Sequence, residues 1–153
     1  MQNDNCVFCK IINNQLPATK VWENENFLAI LNLFPNTKGV TILLAKQHLT
    51  ANVFENEDTL LQEAIVNAKI VAKKLVKGLK ADRVCLIGEG LEIDHFHLKL
   101  YPVYNVQKYF KNSKGKEFVP EYSVDYQGYL STKEGPMADR GELERVGELV
   151  SKA

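Results

Sequence analysis

The sequence predicts an α+β fold with a five-stranded, mostly antiparallel sheet. Three observations carry this. The chain has 153 residues, the size of one domain. Five short apolar or β-branched runs punctuate it. Only one long helical pattern separates them, in place of regular βαβ alternation. Composition agrees, with 45% hydrophobic and 25% charged residues.

Taken in order, residues 7–13 (VFCKIIN) form a short helix ended by Asn13 and Asn14. Residues 20–23 and 27–31 read as strands joined by the polar turn Asn24-Glu25-Asn26. A turn with Pro35 and Asn36 leads to a third strand at 39–44 (GVTILL). The connection 45–52 carries Lys46 and His48. A long helix follows over 57–79, with Asn56 as its N-cap and Glu57 and Asp58 at the positive end of the dipole. Leu60, Leu61, Ala64, Ala68, Val71, Leu75 and Leu79 give its apolar face. Residues 83–88 (RVCLIG) are the fourth strand and 94–101 (DHFHLKLY) the fifth. Alternation there turns Phe96, Leu98 and Leu100 toward a core the long helix covers, and His95, His97, Lys99 and Tyr101 the other way. Residues 105–137 read as irregular. The tail 139–151 forms a helix with Asp139 and Glu142 as a capping box, weakened by Gly141 and Gly147.

Charge and targeting bound the function. Lys+Arg and Asp+Glu both number 19, so no cationic excess supports a nucleic-acid or anionic-membrane binder. No run approaches the ~20 apolar residues of a membrane span, and the start lacks the pattern of a signal peptide. The expected location is cytoplasmic, where cysteines stay reduced.

Chemistry concentrates in few residues. Cys6-Val7-Phe8-Cys9 has the spacing that seats two thiolates on one zinc, and the same spacing fits a reduced or redox thiol pair. A tetrahedral zinc needs two more ligands, and His48 and His95 are the economical choice among three histidines. His95 and His97 share one strand face, so one imidazole can hold metal while the other stays available as a base or nucleophile. Lys99, next in the row, disfavours protonation of His97 and offers a phosphate contact. Gly88-Glu89-Gly90 permits tight turning before the histidine strand but is neither a P-loop nor a dinucleotide fingerprint.

These motifs together resemble the histidine triad (HIT) family, in its zinc-containing, HINT-like branch. CVFCKIINNQLPATKVWENENFLAILNLFPNTKGVTILLAKQHL is similar to the family's N-terminal half, and HFHLKLYP to its His-x-His-x-His-x-x-Pro signature. The likeness spans about residues 6–104 of a single domain, with 105–153 as an extension. The resemblance implies a homodimer whose two five-stranded sheets join, and binding of purine nucleotides or their conjugates. It implies that His97 attacks the α-phosphorus to form a nucleotidyl-histidine, and that structural Zn²⁺ is held by Cys6, Cys9, His48 and His95. Leu31, Asn32 and Leu33 would border the nucleoside, and Gly90, Leu91, Glu92 and Ile93 would lie by the phosphate.

The sequence also departs from the family pattern. Lys99 stands where the third triad histidine is usual, Val40 where a histidine follows Gly39, Asn32 where an acidic residue holds the ribose, and Ala45 where proline is usual. The leading expectation is a HIT-type nucleotide hydrolase or nucleotidyl transferase. The alternative is a nucleotide-binding or interaction protein that keeps the fold and zinc without turnover. A third is a zinc-stabilised scaffold with no nucleotide affinity.

Overall fold

The computed structural model describes residues 5–107 and 135–153. The tyrosine-rich stretch with Tyr109, Tyr122, Tyr126 and Tyr129 lies outside the described residues, as do the first four. Helix α1 (Val7–Ile12) precedes β1 (Lys20–Glu23), β2 (Phe27–Leu31) and β3 (Thr41–Ala45). Helix α2 (Asp58–Leu79) then leads to β4 (Arg83–Ile87), β5 (His97–Val103) and the C-terminal helix α3 (Arg140–Ser151). The five strands make one sheet in the order β1-β2-β3-β5-β4, and every pairing is antiparallel.

The sheet has two differently covered faces. On one, Phe27, Ala29, Leu31, Leu43, Ala45, Phe96, Leu98 and Leu100 pack with Ala64, Ala68, Val71 and Leu75 of α2 and Val146 and Val150 of α3. Fully burying each Val, Leu or Phe among them contributes roughly 1.5–3 kcal/mol. On the other, Leu28, Ile30, Ile42 and Leu44 meet Cys6, Phe8, Cys9 and Ile11 from α1 and its N-cap. Both faces of β2 and β3 are therefore buried. This explains their continuous apolar runs, since an antiparallel strand alternates only where one face meets water.

Four local expectations are revised. Strand β5 begins at His97, so Asp94, His95 and Phe96 form the turn that enters it. Asn56 does not cap α2. Glu57 holds that position without a side-chain bond, while the Asn56 amide donates to the carbonyls of Thr50 (3.0 Å) and Asn52 (2.8 Å). A 3₁₀ turn at Val53–Glu55 intervenes there, and the Asn56 amide ties it down. At α3, Asp139 does cap, accepting from the Glu142 amide at 3.0 Å, but the Glu142 carboxylate pairs with Arg145 instead of returning to Asp139. Gly147 is not a simple weakness. A Cβ there would lie 2.6 Å from Thr19 Cγ2, so its missing side chain lets α3 approach the chain entering β1.

Candidate metal centre and active site

Helix α1 presents its thiols from one end. Cys6 is the N-cap and Cys9 sits one turn on, so both face the turn before β5. Cys6 Sγ is 3.4 Å from His95 Nδ1, Cys9 Sγ is 3.6 Å from the same nitrogen and 3.4 Å from His48 Nδ1, and the two Nδ1 atoms are 3.2 Å apart. All four donor atoms lie within 4.8 Å of one another. A tetrahedral Zn²⁺ with its usual bond lengths requires ligand separations of roughly 3.3–3.8 Å. The donor set therefore suits zinc, and the four separations of 3.2–3.6 Å lie close to that range.

The second ring nitrogen of His95 supports the fit. Nε2 donates to the Ala45 carbonyl at 2.7 Å, which leaves the Nδ1 lone pair directed at the cluster. Burial holds this imidazole below its ordinary range, so it is neutral, as a ligand must be. Burial likewise pushes the Cys6 thiol up, so thiolates here call for a cation.

His97 is two residues on and differently arranged. Its Nδ1 lies 2.8 Å from the His95 carbonyl oxygen. A carbonyl only accepts, so Nδ1 carries the proton and Nε2 holds the lone pair. Burial, reinforced by the Lys99 charge, keeps the ring neutral below its ordinary range. Phe8 packs edge-on against both rings, with centroids 5.7 Å from His95 and 5.2 Å from His97.

The sheet register builds a surface around His97. His97 pairs with Leu44 and Lys99 with Ile42, which in turn pair with Leu28 and Ile30. One step further, the Asn32 amide donates to the Val40 carbonyl. His97, Lys99, Ile30 and Asn32 thus share the α1 face. Beside α1 this face opens into a cleft of about 1000 Å³. Its apolar lining includes Phe8, Ile11, Leu31, Leu33, Met137 and Leu143, and its charged lining includes Glu89, Glu92, His97 and Lys99. Lys99 is not solvated. It is 5% exposed and ion-paired with Glu89.

The expected binding residues divide. Leu31, Asn32, Leu33, Glu92 and Ile93 line the cleft, whereas Gly90 and Leu91 do not. Gly90 has φ +62°, and a Cβ there would fall 2.4 Å from the Ala51 carbonyl oxygen, so it serves loop packing. Leu91 is 84% exposed. Asn32 is held in place, its Oδ1 accepting from the Phe34 amide (3.1 Å) and its Nδ2 donating to the Phe34 carbonyl (3.3 Å). Val40 lines a smaller cavity of about 190 Å³ that shares Asn32 with the main cleft. Asp94 turns away, its carboxylate accepting from the Ala51 amide at 2.9 Å.

Sequence reasoning missed two contributions. Met137, Ala138 and Leu143 reach the cleft from the C-terminal segment, which docks through an Ala138 amide to Leu33 carbonyl bond of 3.0 Å. No local signal announces a contact across so many residues. Glu89 did have one. It lies two positions beyond Ile87, which pairs with Lys99, so it falls diagonally from that lysine.

The HIT domain pattern matches residues 13–105. An adenosine 5′-monophosphoramidase of Saccharomyces cerevisiae is 30% identical over 102 residues, covering 63% of this chain and 61% of that protein. A hypothetical histidine triad nucleotide-binding protein from Sulfolobus tokodaii superposes with a TM-score of 0.73 at 24% identity, covering 96% of this chain and 90% of that one. A zinc-bound histidine triad family protein from Mycobacterium smegmatis superposes with a TM-score of 0.63 at 23% identity, covering 97% and 91%. With the domain pattern spanning more than half of its residues, this chain belongs to the HIT family.

Proposed function

We propose that the protein is a nucleotide phosphoramidase or hydrolase, or a nucleotidyl transferase, acting on purine nucleotide conjugates through a covalent nucleotidyl-histidine at His97. One observation carries this reading. His97 is a neutral imidazole with its Nδ1 proton engaged by the His95 carbonyl, on the wall of a cleft large enough for a nucleotide. The phosphoramidase activity named for the yeast relative supports the reaction class.

In this mechanism the Nε2 lone pair attacks the α-phosphorus. A phosphorus–nitrogen bond forms to the imidazole and the bond to the leaving group breaks, the leaving group keeping the electron pair and taking a proton from solvent. Water then attacks phosphorus and returns the imidazole, or an acceptor alcohol or amine does so in a transferase. Charge building on the phosphoryl oxygens must be met by donors, and Lys99 is the cation beside His97. Leu31, Leu33 and Phe8 flank the base, and Asn32 addresses the ribose with the one donor hydrogen and one lone pair its Phe34 bonds leave over.

Zn²⁺ at Cys6, Cys9, His48 and His95 serves structure, because four protein ligands leave no open position. It ties α1 to the turn before β5, and so fixes both Phe8 and the carbonyl that orients His97. The zinc-bound mycobacterial structure accords with this. A homodimer joined through β4 suits the surface. Among the described residues β4 is a sheet edge, with Leu86 exposed, and Ile65, Val66 and Ile70 are exposed on α2.

The Glu89–Lys99 pair favours a second reading, a nucleotide-binding protein with little turnover, because the carboxylate occupies the cation. Adenosine 5′-phosphoramidate hydrolysis measured beside AMP calorimetry separates them. Turnover that disappears in His97→Ala supports the enzyme; AMP binding with no turnover supports the binder.

A further inference from the structure

The Glu89–Lys99 pair is unusual for its position. Both side chains are largely buried, with 16% and 7% exposure, yet both line the cleft and neither belongs to the apolar core. An ammonium this buried requires a partner. Asp139, Arg140 and Glu144 line the cleft as well, but the charges that act on His97 are those of Lys99, Glu89 and Glu92, two carboxylates and one cation. A phosphate meeting this set unaltered would face a net negative wall. The cation it needs is present but occupied.

We propose that Glu89 is a positioning residue for Lys99, holding the ammonium beside His97 in the ligand-free protein and ceding it to a phosphate oxygen when a nucleotide enters. This deepens the nucleotide reading above and rests on it. Phosphate can displace the carboxylate because it offers several acceptor oxygens to the same ammonium. Glu89 sits on the glycine-flanked segment between β4 and β5, so its backbone is outside the strand ladder. Lys99 itself is fixed in the ladder between Ile42 and Ile87, so the carboxylate is the partner that moves. The arrangement supplies a pre-set cation at the position where the family pattern has a histidine, while keeping it neutralised until phosphate arrives.

The test uses the full chain and the variants Glu89→Gln and Glu89→Asp, with AMP and adenosine as calorimetric probes and adenosine 5′-phosphoramidate as substrate. Positioning predicts a split. Glu89→Gln removes a competing charge, so AMP binds about three- to tenfold more tightly while adenosine binding is unchanged. The same variant leaves Lys99 unguided, so kcat falls about tenfold or more, and Glu89→Asp recovers most of it. A merely structural ion pair would weaken AMP and adenosine alike, and that result overturns the proposal, as does an unchanged AMP-to-adenosine ratio. Thermal melting of both variants identifies misfolding, and Glu89→Asp then carries the test. If wild type binds AMP without turning over substrate, the enzymatic reading fails while the affinity ratio still decides the role of Glu89. If no variant binds either probe, both fall.

Discussion

His95 and His97 are two positions apart, almost fully buried and touched by the same phenylalanine, yet each leaves the opposite ring nitrogen available. His95 spends its Nε2 proton on the Ala45 carbonyl and turns Nδ1 to the thiols. His97 spends its Nδ1 proton on the His95 carbonyl and keeps Nε2. The residue type and the burial are equal. What differs is which backbone carbonyl takes the proton, and that choice decides which lone pair remains. Because the carbonyl that orients His97 belongs to His95, the candidate metal centre and the proposed nucleophile are mechanically joined through one peptide unit.

The most damaging change to the proposed chemistry is His97→Ala. It is expected to lower kcat for adenosine 5′-phosphoramidate at least about a thousandfold. Zinc content, measured by atomic emission on the same sample, should stay the same, because His97 is not among the four donors. Loss of zinc together with activity would show that the two histidines do not divide the work in this way.

Cys9→Ser attacks the other member of the pair. Outer partners of a metal site alone account for about 10–100-fold in affinity, so removing a ligand should weaken zinc by about 100-fold or more. The melting temperature should fall with it, and chelation of the wild type should reproduce that fall. A chelated protein with unaltered melting would remove zinc from the structural account.

Asn32→Ala probes the far side of the cleft from the metal. It deletes both bonds with the Phe34 backbone, worth about 1–2 kcal/mol together. AMP affinity should drop about tenfold with zinc content unchanged, as read by calorimetry. The smallest effect belongs to Asp139→Ala, which removes the α3 cap and costs about 1 kcal/mol in urea unfolding. Asp139 itself lines the cleft and heads the helix that brings Leu143 there, so any larger loss of AMP affinity than of stability would mark this end of α3 as part of the binding wall.

Much of this was readable along the chain. The period of Ala64, Ala68, Val71 and Leu75 located α2 because a helix must bury one stripe. The alternation of Phe96, Leu98 and Leu100 located the core face of β5 for the matching reason in a strand. Cys6 and Cys9 pointed to metal, and the scarcity of histidines named the partners the structure brings to them. The start of β5 was less legible. His95 continues the alternating pattern but lies in the turn, because its side chain is committed to the thiols and Ala45 and its backbone does not join the ladder. Asn56 has good capping chemistry and caps nothing, since a preceding 3₁₀ turn claims its amide.

By itself, then, the order of residues pointed to most of the elements, to the core faces of α2 and β5, and to the Cys6–Cys9 pair, because these depend on spacing within single segments. Only the folded chain decided that Lys99 is paired with Glu89, that Met137 and Leu143 wall the cleft, and which nitrogen of each imidazole is left over. Those outcomes depend on strand register and on carbonyls supplied by neighbouring segments. Such neighbours are set by packing across the whole sheet, and no local pattern encodes them.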